Sequence, residues 1–555
     1  MLREEQLSGE VLDHLGLISS VIDKIGLVEK VDKYLPISAK HGAKLTMGQR
    51  IKAMILNGLG FIDDRLYMFP EFLANKPVGR LFNPDVLADQ FNDDALGRCL
   101  DAISKYGVTK LFSELAFEIG TEHKLLGHTA HFDTTSLTVY GAYEEQDELA
   151  QKNEFNVTYG YSKANRPDLK QMILNLATTG ASAFPIWLEA HSGNAADKIV
   201  LQQAAERMKA FCKQLKNAPS FLFVGDSAIY EKCVLEAKNS VDTSAMHWLS
   251  RVPATLKEAK SLLKLSDKDI PWTSLDKGYK ISSFSSEYGE VAQRWLLVFS
   301  QQAYLREIDT LERTIQKEYD AMHKKCTQMG RIVFNCTSDA QREIMLFDKK
   351  LTYHSLVASV EPITGYTTPG KPKNGSEPVI TGYKIQGKII QTQEKITVSK
   401  LAKGRFILAT NQLDAKLLPA ADMLSEYKNQ NKTEASFRFI KGNAFEVSSV
   451  FLKKESRIQA LMMVMTLCLM VYSLAEFLLR NALSEHQETI PNQLKKPTKK
   501  PTMAYVCRLF HGIQVWSIDW EGYVQKCVVN LKAVTKQIIG YFGPKAMEIY
   551  GLKTS

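Results

Sequence analysis

Two aspartates in this chain close short apolar runs that read as strands: Asp133 in HFDTTS and Asp226 in FVGDS. Ligands gather at the carboxyl ends of strands in open α/β sheets, and a carboxylate left unpaired there is costly. A metal ion would offset that cost. Taken singly, each aspartate reads first as an N-cap or turn residue. A third element lies in DMLSEYKNQNKTEASFRFIKG, a polar stretch with helical character. At roughly 100° per residue, Tyr427, Gln430, Arg438 and Lys441 all fall within about 40° of Glu434. One stripe therefore carries a phenol, an amide, a carboxylate, a guanidinium and an ammonium. Read as surface, Glu434 and Arg438 are an ordinary i,i+4 ion pair. Read as a site, a carboxylate is flanked by groups that bind phosphate. Three carboxylates converging on a sheet would bind hard divalent cations such as Mg²⁺ or Mn²⁺. Two such ions about 4 Å apart suit phosphodiester displacement.

The elements that must position these residues follow from periodicity. Residues 1–125 read as a helical domain for DNA binding or dimerisation, with apolar residues at three- and four-residue spacing in LTMGQRIKAMILNGLGF and NDDALGRCLDAISKYGVTKLFSELAFEIG. Asn92, Asp93 and Asp94 are N-cap candidates for the second run. From about 126 the period changes to two, and strand hairpins give way to strands alternating with helices, which indicates a mixed α/β sheet over 126–270. Residues 271–400 break the rhythm with a charged helix and a Pro/Gly/Lys-rich hairpin stretch, and read as an insertion. The sheet domain resumes over 401–482, and 483–555 is a basic C-terminal region with ten Lys or Arg against five Asp or Glu. Ile458 to Leu479 is long and apolar enough to span a bilayer, but Gln459, Ser473 and Glu476 within it fit a buried core helix, which is the expectation.

At these residues the sequence resembles the DDE transposases of bacterial insertion sequences, in the branch with a "YREK" signature. Tyr427, Gln430, Glu434 and Lys441 have that spacing, with Gln430 where the branch usually has Arg. Asp133 in DTTS and Asp226 in GDSA match the two family aspartates. FNDDALGRCLDA (91–102), YGYSKANRPDLKQ (159–171), HSGNAADK (191–198) and WLSRVP (248–253) resemble recurring stretches of the same branch. The resemblance covers the chain from its first helices to about 480.

The resemblance implies an RNase H-like catalytic domain in which Asp133, Asp226 and Glu434 hold two Mg²⁺ ions, with Mn²⁺ as substitute. It implies cleavage at terminal inverted repeats and strand transfer into target DNA, probing double-stranded DNA as a homodimer and passing through hairpin ends. Tyr427, Gln430, Arg438 and Lys441 would contact DNA phosphates. An aromatic of the insertion, Trp272 or Trp295, would be placed to stack on a flipped base, although core packing is the commoner role for each. His131, His191, Arg166, Asp168 and Lys170 read first as structural partners. Two other readings stand beside this one: a non-catalytic DNA-binding descendant, and a membrane-anchored protein using 458–479.

Composition narrows the classes. Apolar residues at 45% and charged residues at 24% are globular proportions, and a net charge of +9 permits a polyanionic partner without requiring one. Eight cysteines occur singly with no CxxC pair, so a structural zinc site is not expected. Few unpaired cysteines and a start without an apolar leader suggest a cytoplasmic, nucleoid-associated protein.

Overall fold

The computed structural model describes the chain except residues 1–6, 38–43, 61–67, 140–154, 162–165, 196, 216–219, 228–229, 231–246, 367–376, 442–451, 453, 521–522 and 554–555. Parts of the 159–171 and 191–198 stretches and the tip of the Pro/Gly/Lys-rich hairpin therefore lie outside the described residues. The chain forms two compact units, one from residues 1–250 and 425–555, the other from 251–424.

The first unit opens with a strand, β1 (Leu7–Val11), and then helices α1 (Leu15–Lys24), α2 (Leu27–Tyr34), α3 (Met47–Leu59), α4 (Phe69–Ala74), α5 (Val78–Leu81), α6 (Asp93–Tyr106) and α7 (Val108–Glu122). Local chemistry sets their starts. Thr46 and Gln49 form a capping box at α3, and the Asn92 side chain accepts from the Ala95 amide at 2.9 Å to begin α6. Gly48 sits where a Cβ would lie 2.3 Å from the Val28 carbonyl, so α2 and α3 meet only because that position has no side chain.

Five strands follow: β2 (Thr129–Val139), β3 (Lys170–Thr179), β4 (Phe184–Ser192), β5 (Leu222–Gly225) and β6 (Trp248–Arg251), with α8 (Asp197–Gln214) between β4 and β5. Their spatial order is β4-β3-β2-β5-β6. β3 runs antiparallel to both neighbours, whereas β2, β5 and β6 are mutually parallel. Three antiparallel strands followed by two parallel ones, with the first strand of the series in the centre, is the RNase H-like sheet. Every residue of β3 is buried, as a central strand covered on both faces must be.

The second unit contains α9 (Lys257–Leu263), an antiparallel sheet of β7 (Thr273–Leu275), β8 (Tyr279–Tyr288), β9 (Val291–Ser300) and β12 (Arg405–Thr410), and two helices, α10 (Gln301–Met329) and α11 (Thr337–Asp348). A long ribbon of β10 (His354–Gly365) and β11 (Val379–Gln391) packs on them, and α12 (Gln393–Leu401) precedes β12. This unit begins at Arg251 and ends at Leu424, wider on both sides than the 271–400 stretch read as an insertion. The added stretches hold α9 and β12, regular elements that composition alone does not set apart from the sheet domain.

The chain returns through α13 (Ala420–Ile440), which belongs to the first unit from Ser425 onward, and α14 (Glu455–Glu485). α14 has the length and hydropathy of a membrane span, yet two-thirds of its most apolar window is buried against α1, α3, α6, α7 and β4. Each fully buried Leu or Met there contributes about 1.5–3 kcal/mol. Arg457 at its start grips Asp101 of α6 through two bonds of 2.7 and 2.6 Å, and Gly97 leaves room for the guanidinium. The 91–102 motif is thus the socket for the core helix.

Residues 485–555 fold as well. After a short pair of β13 (Ile490–Pro491) and β14 (Pro497–Thr498) and helix α15 (Met503–Leu509), β15 (Gln514–Trp520) inserts between β1 and β16 (Tyr523–Val529). Helices α16 (Ala533–Phe542) and α17 (Pro544–Ile549) pack on α1, and buried Tyr550 donates to the Asp13 carbonyl. The N-terminal layer is therefore not purely helical. Its strand β1 pairs with a partner some 500 positions away, which local periodicity does not reveal.

Candidate active site

Asp133 lies midway along β2, half-buried, and its carboxylate accepts from the Thr134 amide at 2.8 Å. The parallel register pairs Thr129 with Leu222, Ala130 with Phe223 and His131 with Val224. Continued two positions, that register sets Asp133 level with Asp226, the first residue beyond β5. Neighbouring strands are about 4.8 Å apart, and level residues of parallel strands share a face. The backbone at Asp226 is fixed by Ser250 of β6, whose hydroxyl donates to the Asp226 carbonyl at 2.7 Å. The Asp226 side chain is exposed. Two carboxylates at strand spacing repel each other, and a cation between them would reverse the sign of that interaction.

Thr129, His131 and Asp133 alternate onto one face of β2, and Thr178 of β3 stands opposite His131 on the same face. α13 covers that face. Glu426 accepts from the Thr129 hydroxyl at 3.1 Å and lies 3.6 Å from His131 Nε2. The bond from His131 leads the causes that hold the Glu426 carboxyl below its usual range, with Thr129 and Asn429 adding to it against burial. One turn on, Gln430 donates to the Phe132 carbonyl at 3.4 Å, and the hydroxyls of Thr433 and Thr178 meet at 2.7 Å. Glu426, Gln430, Thr433, Phe437 and Ile440 thus form the sheet-facing stripe of the helix.

Glu434 follows Gln430 by one turn and lies at the edge of that stripe, exposed. Tyr427 is half-buried on the same flank, and Arg438 and Lys441 are exposed further along. Gln430 is 8% exposed and its amide serves the joint between helix and sheet. Carried two positions on, the β2–β5 register puts Asp133 level with Asp226, and the helix of Glu434 lies over the same face of β2 through Glu426 and Thr433. Among the described residues, however, no three His, Cys, Asp or Glu side chains stand close enough to share an ion. The donor chemistry of the two aspartates fits a hard divalent cation.

Sequence reasoning missed Glu426, His131 as its partner, and the Thr178–Thr433 contact. Glu426 lies two turns before Glu434, so its place on the helix was readable, but nothing local identified the strand beneath it. The remaining tempting residues have partners within the protein. His191 and Arg207 clasp Glu189 at 3.0 and 2.5 Å, and Trp187 donates to it as well. Burial opposes charge on Glu189, but these partners outweigh it and its pKa is lowered. Arg166 pairs with Asp168 through bonds of 2.8 and 2.7 Å. Lys170 lies 5.6 Å from the centre of the Tyr159 ring. In the second unit Trp295 is buried and donates to Gln293, and Trp272 donates to Asp267 beneath the Arg405 guanidinium. The glycines of two motifs meet at one crossing: a Cβ on Gly160 would lie 1.9 Å from the Gly193 carbonyl, and one on Gly193 would lie 2.1 Å from that of Gln171.

A family model described as a domain of unknown function (DUF4277) matches residues 7–117. No curated protein matches the chain. Among solved structures, the cryo-EM structure of a piggyBac transposase synaptic complex with hairpin DNA aligns with 96% of this chain and 86% of that one, at 11% identity and a TM-score of 0.35. A likeness that faint adds nothing to what the strand order itself establishes, a mixed, RNase H-like α/β sheet in the first unit.

Proposed function

We propose that the chain is a DNA transposase of the DDE type, cutting the terminal inverted repeats of its own element and joining the freed ends to target DNA. What supports this reading is the parallel register of β2 and β5, which pairs His131 with Val224 and, carried two positions on, would set Asp133 level with Asp226 on an RNase H-like sheet, under the helix that bears Glu434. Asp133 and Asp226 would hold divalent ions, with Glu434 as the third carboxylate, and Mg²⁺ or Mn²⁺ would supply the Lewis acidity that phosphodiester displacement needs. Arg438 and Lys441, both exposed beyond Glu434, would fix the position of backbone phosphate, and Tyr427 would border the same flank. Closing the site requires Glu434 to turn inward from the edge of the stripe, a movement that bound DNA and ions would favour. A homodimer on DNA and hairpinned ends belong to the same proposal.

The test is cleavage of duplexes carrying the inverted repeats that flank the gene, in Mg²⁺ and in Mn²⁺. Asp133→Asn, Asp226→Asn and Glu434→Gln should each abolish cleavage while end binding persists. Full cleavage by Glu434→Gln would remove that residue from the ligand set; full cleavage by both aspartate variants would end the proposal. A second reading, a DNA-binding protein that has lost catalysis, is favoured by Gln430 in place of Arg. Specific end binding with no cleavage by the unaltered chain in either metal would select it.

A further inference from the structure

The stretch from Thr489 to Ile518 holds five Lys or Arg and no Asp or Glu. Four of the five are lysines within six positions: Lys495, Lys496, Lys499 and Lys500. Such a run ordinarily lies in solvent with its side chains spread apart. Here the backbone beneath it is pinned. β13 and β14 pair Ile490 with Thr498 and Pro491 with Pro497, and Ile490 is buried. The Asn492 side-chain oxygen accepts from the Leu494 and Lys496 amides at 2.9 and 3.0 Å, and the Asn492 amide donates to the Lys496 carbonyl at 2.8 Å. The Tyr505 hydroxyl donates to the Asn492 carbonyl at 3.1 Å. Lys495 holds a φ of +59°, a left-handed backbone that a residue with a Cβ adopts only at a cost. At the base of the hairpin the Lys500 amide donates to the Thr498 hydroxyl at 3.1 Å, and Arg480 donates to the Pro501 carbonyl at 2.9 Å.

Lys495, Lys496 and Lys500 are exposed, and among the described residues none of them is paired with a carboxylate. Lys499 donates to Gln487, a neutral partner. Glu488, the acid nearest in sequence, is engaged by Gln537 at 2.6 Å and by Tyr541. Three cations without a counter-charge are therefore held in place by a rigid turn, which lowers the ordering cost that a loose basic tail would meet on binding. Lys496 and Lys500 are separated by at most about 13 Å of chain, and the major groove of duplex DNA is about 12 Å wide. Tip and base thus match phosphates on opposite sides of one groove. Leu494 is 75% exposed at the tip, and a single leucine is too little to anchor the hairpin in a lipid surface. We propose that this hairpin grips the backbone of duplex DNA, with Lys495 and Lys496 on one strand and Lys500 on the other, without reading sequence. The proposal rests on the transposase reading for its choice of polyanion, but not on cleavage.

The experiment uses the full chain and a fluorescein-labelled duplex of random sequence, followed by anisotropy in EDTA between about 50 and 200 mM KCl. The variant is Lys495→Gln/Lys496→Gln/Lys500→Gln. The control is Lys264→Gln/Lys349→Gln/Lys350→Gln, three exposed lysines of the second unit. Each phosphate contact adds about 0.9 to the slope of log K against log salt, so the hairpin variant should lose about 2–3 from it. Its affinity should fall by at least about tenfold, equally for unrelated duplex sequences, while the control keeps the parent slope. If the triple variant fails to fold, judged by circular dichroism, Lys496→Gln and Lys500→Gln singly carry the test, each with a slope change of about 0.9. An unchanged slope would overturn the proposal, as would an equal loss in the control. Weakened binding to vesicles of phosphatidylcholine and phosphatidylserine, with duplex binding intact, would overturn it too. An unchanged slope beside intact end cleavage refutes the hairpin alone; no duplex binding by the unaltered chain refutes the transposase reading with it.

Discussion

The seating of α13 on the sheet is the step on which the carboxylate site depends, and the Thr178–Thr433 contact measures it. The two hydroxyls are 2.7 Å apart, and both threonines are essentially buried. Thr433→Val keeps the shape and removes the polar atom, leaving the Thr178 hydroxyl without this partner in a dry interface, at a cost of about 1–3 kcal/mol. Thr178→Val should cost a similar amount. The double variant buries two methyl groups where two hydroxyls met, so it should cost less than the sum of the singles, with a coupling of about 1–2 kcal/mol. For a unit of this size that corresponds to roughly 1 °C in Tm per kcal/mol, so chemical denaturation followed by a probe in the first unit is the sharper assay. Additive singles, or singles within about 0.3 kcal/mol of the parent, would show that α13 does not lie on the face of β2 that bears Asp133. Glu434 would then have no scaffold to bring it to the aspartates.

Other outcomes follow from the same structure. Gly193→Ala drives a Cβ against the Gln171 and Thr158 carbonyls, both backbone atoms, and should cost more than about 3 kcal/mol in urea unfolding, with soluble yield falling accordingly. Glu189 has its folded pKa lowered, so its contribution to stability is complete above the unfolded carboxylate value and is lost as pH falls through the folded one; denaturation midpoints should drop on acidification below about pH 4–5, and Glu189→Gln should flatten that slope while lowering stability at neutral pH. Arg457→Ala should loosen the start of α14 by about 1–2 kcal/mol, less than a buried pair because both partners are partly exposed. Met470→Lys in the middle of α14 should prevent folding if the helix is the core element described, with the parent recovered in the soluble fraction after carbonate extraction; parent retained in membranes would contradict that placement.

The fold was legible wherever one segment carries its own signal. The alternation in HFDTTS, the continuous apolar run before Asp226, the N-cap at Asn92 and the unbroken hydrophobicity of α14 each state a local preference that the tertiary structure keeps. What the sequence could not display was which partners those segments choose. Glu426 and Gln430 sit on an ordinary polar helix until Thr129 and the Phe132 carbonyl are beneath them, and β1 is a five-residue strand without its partner β15. Helical phase also proved a weaker guide than it looked. It put Gln430 and Glu434 on one stripe, about 40° apart, but that angle separates a buried amide from an exposed carboxylate once the sheet is in place.

The pairing of β1 with β15 imposes an order on synthesis. Val11 leaves the ribosome long before Gln514, its partner in the sheet; at 5–20 residues per second the wait is on the order of 25–100 s. The second unit, whose contacts close within 251–424, can be finished in that interval, whereas the layer around α1 stays open until the last strands arrive. Nascent chains should therefore remain protease-sensitive at their beginning and resistant in their middle until β15 has been made.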